Sequence, residues 1–113
     1  MSGLTTHVLD TANGRPAAGM AVRLLRGGQV LVSTRTNSDG RCDAPLLAGE
    51  ALTAGAYRLE FDVGPYFRAL GVALPDPAFL DTVALEFGIA EPVQPYHVPL
   101  LVSPFGYSTY RGS

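Results

Sequence analysis

The amino-acid sequence predicts an all-β protein: a two-sheet antiparallel β-sandwich of seven or eight short strands with one short helix. Apolar residues recur at every second position along most of the chain, whereas the three-to-four spacing of a helix is scarce. Turn-forming Gly, Pro and Asn residues interrupt these runs at short intervals, as they do in β-sandwiches. A chain of 113 residues has the length of one domain, and we assign residues 1–113 to it.

The first half of the chain predicts a strand, a hairpin and a tight turn. The first strand is expected at residues 4–10 and is closed by an Asn-Gly turn. Residues 20–24 and 30–34 alternate in the same way and flank a Gly-Gly pair, which is typical of a β-hairpin. Asn-Ser-Asp-Gly at 37–40 predicts a tight turn, because its glycine adopts positive φ easily. A short strand at 41–43 is expected to follow.

The second half predicts the helix and the remaining strands. Residues 57–62 give the clearest strand, with aromatic and aliphatic side chains on one face and charges on the other. Residues 65–70 predict the one short helix, since a proline stands in its first turn and a glycine follows it. Residues 83–89 alternate again. The last strands, 97–102 and 107–111, are expected to form a hairpin across Ser-Pro-Phe-Gly.

The composition restricts the class of protein. Hydrophobic residues make up 47% of the chain and charged residues 16%, which excludes an intrinsically disordered chain and favours burial of some surface against another subunit. The formal net charge is −2 with both signs interspersed, so we expect neither nucleic acid nor a membrane as a partner. The sequence contains no secretory signal and no apolar run of bilayer length, which predicts a cytoplasmic protein.

The only two histidines, His7 and His97, lie in apolar strand segments. One interpretation is that both are ordinary strand histidines with no catalytic task. The other is that they converge from the first and the penultimate strand, one removing a proton from water while the other binds or donates to a substrate. Neither has a second histidine or a carboxylate at the close spacing of a local metal site, so no zinc site is predicted.

Three further polar side chains are candidates for substrate binding. Arg41 follows the predicted turn, and its guanidinium is either a solvated surface cation or a planar donor fork for a flat, imide-like edge. Arg111 has the same two interpretations. Tyr110 is either a strand aromatic or a hydroxyl donor to a substrate carbonyl. The strand-like alternation continues through residues 107–111, almost to the last residue, which predicts a tail that is held in place.

Together these segments resemble the transthyretin-related proteins and, among them, the 5-hydroxyisourate hydrolases. The resemblance rests on Leu-Thr-Thr-His-Val-Leu-Asp at 4–10, Asp-Gly-Arg at 39–41, Tyr-His-Val-Pro-Leu-Leu at 96–101 and the segment 103–113, so it spans nearly the whole chain. The resemblance also distinguishes the hydrolases from the hormone carriers of the same family. The hormone-carrying transthyretins share the sandwich but lack the two histidines and the Tyr-Arg-Gly-Ser ending.

The resemblance implies a transthyretin-like sandwich and a set of site residues. It implies that the catalytic residues are His7, Arg41, His97 and Ser113. It further implies that the substrate-binding residues are His7, Arg41, Tyr110 and Arg111. No cofactor and no metal are expected. The implied assembly is a homotetramer, a dimer of dimers packed face to face, with active sites in the channel between them.

The implied reaction is hydrolysis of 5-hydroxyisourate to 2-oxo-4-hydroxy-4-carboxy-5-ureidoimidazoline in urate (purine) degradation. Water attacks a ring carbonyl and the adjacent cyclic amide bond opens, and either histidine suits the role of base. Two rival functions stay open: a transthyretin-like carrier that binds a small aromatic ligand without turning it over, and a sandwich module for protein recognition. An apolar channel favours the carrier, whereas His7, Arg41 and His97 make the channel polar and cationic.

Overall fold

The computed structural model describes residues 3–112. Within this range nine strands and one α-helix follow one another: β1 (Gly3–Asp10), β2 (Arg15–Pro16), β3 (Ala21–Arg26), β4 (Gln29–Arg35), β5 (Leu47–Ala48), β6 (Gly55–Asp62), α1 (Val63–Ala69), β7 (Thr82–Ile89), β8 (Tyr96–Ser103) and β9 (Gly106–Thr109). A single 3₁₀ turn, Gly49–Ala51, follows β5. No helix in the described range has the length and apolarity needed to cross a membrane.

The strands form two sheets, which confirms the predicted sandwich. One sheet has the order β2-β1-β8-β9, with β5 also paired to β1, and the other has the order β4-β3-β6-β7. The count exceeds the predicted seven or eight because β2 and β5 are two-residue strands, too short to show alternation in the sequence. The strand expected at 41–43 is absent, since Arg41 makes only an isolated bridge to His7. That prediction was wrong.

One strand pair departs from the antiparallel expectation. Strands β1 and β8 run parallel, in register from Leu4 opposite Tyr96 to Asp10 opposite Val102, while every other named pair is antiparallel. Side chains alternate in the same way in parallel and antiparallel strands, so the alternation in the sequence does not reveal the relative direction of two strands. The long connection between β1 and β8 also leaves no hairpin turn to reveal it. This pairing places the two histidine-bearing strands side by side.

The core lies between the two sheets and is lined by the inward side chains of both. Its largest fully buried side chains include Phe61, Phe67, Leu4, Met20, Leu24, Leu59, Ile89 and Leu100. Along β1, Leu4, Thr6 and Val8 are buried, so the alternation turns Thr5 and His7 outward. We call the surface that carries these two side chains the outer face of the β1–β8 sheet.

Helix α1 is tied to the β1–β8 sheet by a buried polar contact. The hydroxyl of Tyr66 donates to Oδ2 of Asp10 at 2.8 Å, and the carboxylate, which is 1% exposed, also accepts from the amide and side chain of Asn13. Burial alone raises the pKa of Asp10, but these hydrogen bonds outweigh it and leave that pKa below its ordinary value. Burial and the carboxylate raise the pKa of Tyr66 to about 12.

Candidate active site

His7 is held by the turn that follows β4. Its Nε2 lies 2.9 Å from the backbone carbonyl oxygen of Asp39. A carbonyl oxygen only accepts, so Nε2 carries the hydrogen and donates it. In the neutral ring the lone pair is then on Nδ1. The lone pair of His7 Nδ1 is therefore left to accept a hydrogen bond.

His97 projects from β8 onto the same face. Its Cα is paired with that of Thr5, and the hydroxyl oxygen Oγ1 of Thr5 lies 2.8 Å from Nδ1. Its Nε2 makes no hydrogen bond to any residue in the described range. Burial, together with the positive charges of Arg41 and His7, lowers the pKa of His97 below the ordinary histidine value. The imidazole is consequently neutral at neutral pH.

The loop that carries Arg41 is braced by side chain and backbone. The Oδ1 of Asn37 accepts from the amides of Asp39 and Arg41 at 2.9 and 3.1 Å. Gly40 has φ of +77°, and a Cβ there would collide with the carbonyl of Val8, which only glycine avoids. The amide of Val8 in turn donates to the Gly40 carbonyl at 2.8 Å. These contacts fix the loop against β1.

The guanidinium of Arg41 is only partly engaged. Its Nε lies 3.0 Å from Oδ2 of Asp39, and the two side chains are 49% and 68% exposed. An ion pair so open to water contributes little to stability, so its main effect is to orient the guanidinium. Within residues 3–112 its two Nη groups make no hydrogen bond. They remain available to an anionic or carbonyl-rich ligand.

Arg41 and His97 border one cleft on the outer face of the β1–β8 sheet. Its volume is about 360 Å³, and it is lined by Thr5, Arg41, Pro95, Tyr96 and His97. A smaller depression of about 110 Å³, lined by Thr5, Thr6, Arg41, Cys42 and Ala44, adjoins it. His7 stands two residues beyond Thr5 on the same strand face and is bridged to Arg41. The structure thus brings together three of the predicted site residues.

The C-terminal tail packs against His97. The amide of Gly112 donates to the His97 carbonyl at 2.7 Å, and a Cβ on Gly112 would lie 2.6 Å from Cδ2 of the imidazole. The guanidinium of Arg111 stacks 4.1 Å from the ring centroid of Tyr96 and lies 3.2 Å from Oε1 of Gln94. It also reaches the carbonyl of Pro95 at 3.3 Å. The tail is therefore held in place, and Arg111 is occupied by groups of its own chain.

The other predicted tail residues do not border the cleft. Tyr110 is 59% exposed and, with Arg111, lines a separate apolar cleft of about 240 Å³ between the β7 and β9 edges. Tyr96 is the residue shared by the two clefts. Ser113, predicted to be catalytic, lies outside the described residues.

The described residues around the cleft form neither a metal centre nor a reactive cysteine site. In the described part of the chain, no three His, Cys, Asp or Glu side chains are grouped to hold a metal ion. Cys42 is partly buried, and burial together with Asp43 raises the pKa of its thiol. A protonated thiol is a poor nucleophile, so Cys42 is not suited to nucleophilic attack.

Sequence reasoning missed two residues of this site, Thr5 and Asp39. Thr5 stands two residues before His7, and Asp39 two residues before Arg41. Strand alternation therefore predicts that Thr5 shares the face of His7. Gly112 belongs to the C-terminal segment on which the family resemblance rests, and the structure adds how closely it lies against the imidazole.

A family model described as the HIUase/Transthyretin family matches residues 4–112. The chain belongs to the HIUase/transthyretin family. A family member from Ralstonia nicotianae, named 5-hydroxyisourate hydrolase, is 61% identical over 117 residues and covers 100% of both chains. The resemblance inferred from the sequence is confirmed, and it extends over the whole length.

Solved structures of the family superpose closely on this chain. The 5-hydroxyisourate hydrolase of Klebsiella pneumoniae has a TM-score of 0.86 at 39% identity, with 100% of both chains covered. An (S)-allantoin synthase has a TM-score of 0.93 at 45% identity, covering 99% of this chain and 44% of the other. Sea bream transthyretin, solved with thyroxine, has a TM-score of 0.83 at 26% identity, covering 97% of this chain and 94% of the other.

Proposed function

We propose that this chain is the enzyme that hydrolyses 5-hydroxyisourate to 2-oxo-4-hydroxy-4-carboxy-5-ureidoimidazoline, a hydrolase acting on a cyclic amide in urate degradation. One observation carries the proposal: His7, His97 and Arg41 share one sheet face in a chain 61% identical, end to end, to a named 5-hydroxyisourate hydrolase. Amide hydrolysis needs a base near neutrality, donors for a developing oxyanion, and orientation of the ring. The outer face of the β1–β8 sheet offers a group for each of these needs: His7 beside the cleft, and Arg41 and His97 in its lining.

His7 acts as the base in this mechanism. Its Nε2 hydrogen is committed to the Asp39 carbonyl, so Nδ1 takes the proton of water as the oxygen attacks the ring carbonyl carbon. When the tetrahedral intermediate collapses, the carbon–nitrogen bond breaks and the leaving nitrogen takes that proton back from His7. Water is added across the amide and the histidine returns to its starting state.

His97 and Arg41 stabilise the negative charge that forms on the carbonyl oxygen. The lowered pKa of His97 keeps its imidazole neutral, and a neutral imidazole donates a hydrogen bond without having to lose its proton. The free Nη groups of Arg41 supply a planar, charged donor pair for the polar edge of the substrate. Each role is worth about two to four orders of magnitude in rate.

The carrier alternative has one specific observation in its favour, the likeness to sea bream transthyretin in complex with thyroxine. The polarity of the cleft opposes it. A binding site for an apolar ligand is lined mainly by apolar side chains, whereas Arg41, His97 and Thr5 line this one. Relatives named as the hydrolase also share far more sequence with the chain than the transthyretin does.

The proposed assembly is a homotetramer, a dimer of dimers with the outer faces of the β1–β8 sheets turned toward each other. Three exposed aromatic side chains lie in the C-terminal hairpin and tail: Phe105, Tyr107 and Tyr110 are 64%, 46% and 59% exposed. Burial of such groups against another copy is favourable. Light scattering at micromolar concentration tests this, and a stable monomer contradicts it. Cytoplasmic localisation stays a prediction from the sequence.

The function is tested by generating 5-hydroxyisourate in situ with urate oxidase and following its ultraviolet absorbance. We expect the decay to accelerate in proportion to added protein and to yield the ring-opened carboxylate. A parallel titration with thyroxine tests the carrier. Tight thyroxine binding together with an unchanged decay rate would overturn the proposal in favour of the carrier.

A further inference from the structure

Thr5 stands at the point where β1 faces the histidine of β8. Its Cα is the register partner of His97, and its Oγ1 lies 2.8 Å from Nδ1 of that ring. Threonine is branched at Cβ, so its χ1 is restricted and the hydroxyl is held in place. Thr5 also lines both the cleft and the adjoining depression. Its hydroxyl is thus a fixed contact between β1 and the imidazole.

The neighbouring threonine shows that this contact is not a general feature of the strand. Thr6 is buried, and its hydroxyl donates to the backbone carbonyl of Val98 at 2.7 Å. That bond satisfies a buried polar group, as the packing of any sandwich requires. Thr5 is exposed, so water would satisfy its hydroxyl at no cost. The contact from Thr5 to a histidine ring is accordingly not needed for burial.

We infer that Thr5 is a positioning residue for His97, whose hydroxyl donates to Nδ1 and so keeps the ring in the tautomer with hydrogen on Nε2. The tautomer of a neutral histidine is set by the hydrogen bond that its other nitrogen makes. With Nδ1 occupied by Thr5, Nε2 is the ring nitrogen left for a ligand. This inference deepens the proposed function and rests on it, because that mechanism needs a donor at His97.

The experiment compares Thr5→Val, which keeps the shape but removes the hydroxyl, with Thr5→Ser, which keeps the hydroxyl. The matched control is Thr11→Val, since the hydroxyl of Thr11, the residue that follows β1, also bonds to β8, at the Val102 carbonyl, but Thr11 does not line the cleft. Steady-state rates on freshly made 5-hydroxyisourate give kcat and KM. Long-range ¹H–¹⁵N NMR of the rings gives the tautomers, and His7→Asn assigns the two histidines.

We expect Thr5→Val to lower kcat about tenfold, the effect of one lost hydrogen bond, and to change KM little. Thr5→Ser should restore most of the rate, Thr11→Val should match the parent, and the His97 ring of the parent should carry hydrogen on Nε2. A parental kcat in Thr5→Val, or a hydrogen on Nδ1 of His97 in the parent, would overturn the inference. An inactive parent would overturn the proposed function instead, and the NMR spectrum would still test the Thr5 contact.

Discussion

The backbone amide of Gly112 donates to the carbonyl of His97 at 2.7 Å, and the space beside the imidazole admits no side chain at that position. Gly112 thereby packs directly against one side of the His97 imidazole. Arg111 holds the tail there through its stacking on Tyr96. The tail and the His97 imidazole therefore pack directly against each other.

The first prediction is that Gly112→Ala impairs catalysis while the fold persists. The new methyl group must displace the imidazole, and misplacing a catalytic group by about 1 Å costs up to about a hundredfold in rate. We expect kcat to fall by about ten- to a hundredfold, with a melting temperature near that of the parent. Gly106→Ala is the control, because a Cβ there meets only the hydroxyl of Ser103 at 3.9 Å. Equal activity of the two variants would contradict the packing role.

The second prediction concerns the shape of the Arg41 side chain. Arg41→Lys keeps the positive charge but loses the planar fork, so we expect kcat/KM to fall by about a hundredfold. The free energy of unfolding should change by less than about 1 kcal/mol, because the pair with Asp39 is exposed. Activity assays and urea denaturation measure the two effects. A lysine variant with parental kcat/KM would show that charge alone suffices.

The third prediction separates stability from activity at the contact between α1 and β1. Tyr66→Phe removes the donor to the buried Asp10 carboxylate, and we expect a loss of about 1–3 kcal/mol in the free energy of unfolding. The specific activity of the folded protein should be unchanged, since neither side chain lines the cleft. Tyr107→Phe, at an exposed position, serves as the control and should match the parent. Equal stability of the two variants would argue against the contact.

The fourth prediction is a pH dependence of stability that His97 causes. Its folded pKa lies below the ordinary value of 6.5, so on acidification the unfolded chain binds the proton first. The free energy of unfolding therefore falls as the pH drops through 6.5. Its slope from this one group is at most about 1.4 kcal/mol per pH unit, and the fall ends once the pH is below the folded pKa of His97.

Melting temperatures measured between about pH 7.5 and pH 5 check this, with His97→Asn as the matched variant. The slope should be smaller in His97→Asn. Asp10 and Asp62, whose pKa values are also lowered, lose their contribution only as the pH falls through and below the ordinary aspartate value of 3.8. The contribution of these two carboxylates to stability therefore changes below the measured pH range. A variant with the same slope as the parent would show that His97 is not the cause.

The sequence predicts the sandwich well because its strands are half-buried. Alternation in segments such as 57–62 follows directly from one face packing on the core, and β6 and β7 are found where it places them. Strand direction and the two-residue strands β2 and β5 leave no such signal. The strand predicted at 41–43 does not form, because a loop braced by Asn37 holds Arg41 instead.

The candidate site was predictable in part. The histidines were identified by their scarcity, and His7, Arg41 and His97 by resemblance to the family. Their convergence depends on the parallel register of β1 with β8, which alternation does not specify. Arg111 illustrates what the sequence alone does not decide. An arginine suits a substrate anion as well as an intramolecular contact, and only its closeness to Tyr96 and Gln94 in the structure shows that it anchors the tail.

We propose that hydrolysis takes place on the outer face of the β1–β8 sheet. The most direct measurement is the decay of freshly generated 5-hydroxyisourate in the presence of the parent, His7→Asn and His97→Asn, with the oligomeric state of each variant checked by light scattering. We predict rapid decay with the parent and rates at least about a hundredfold lower with each variant, at unchanged assembly. Near-parental rates in both variants would show that the reaction takes place elsewhere on the protein.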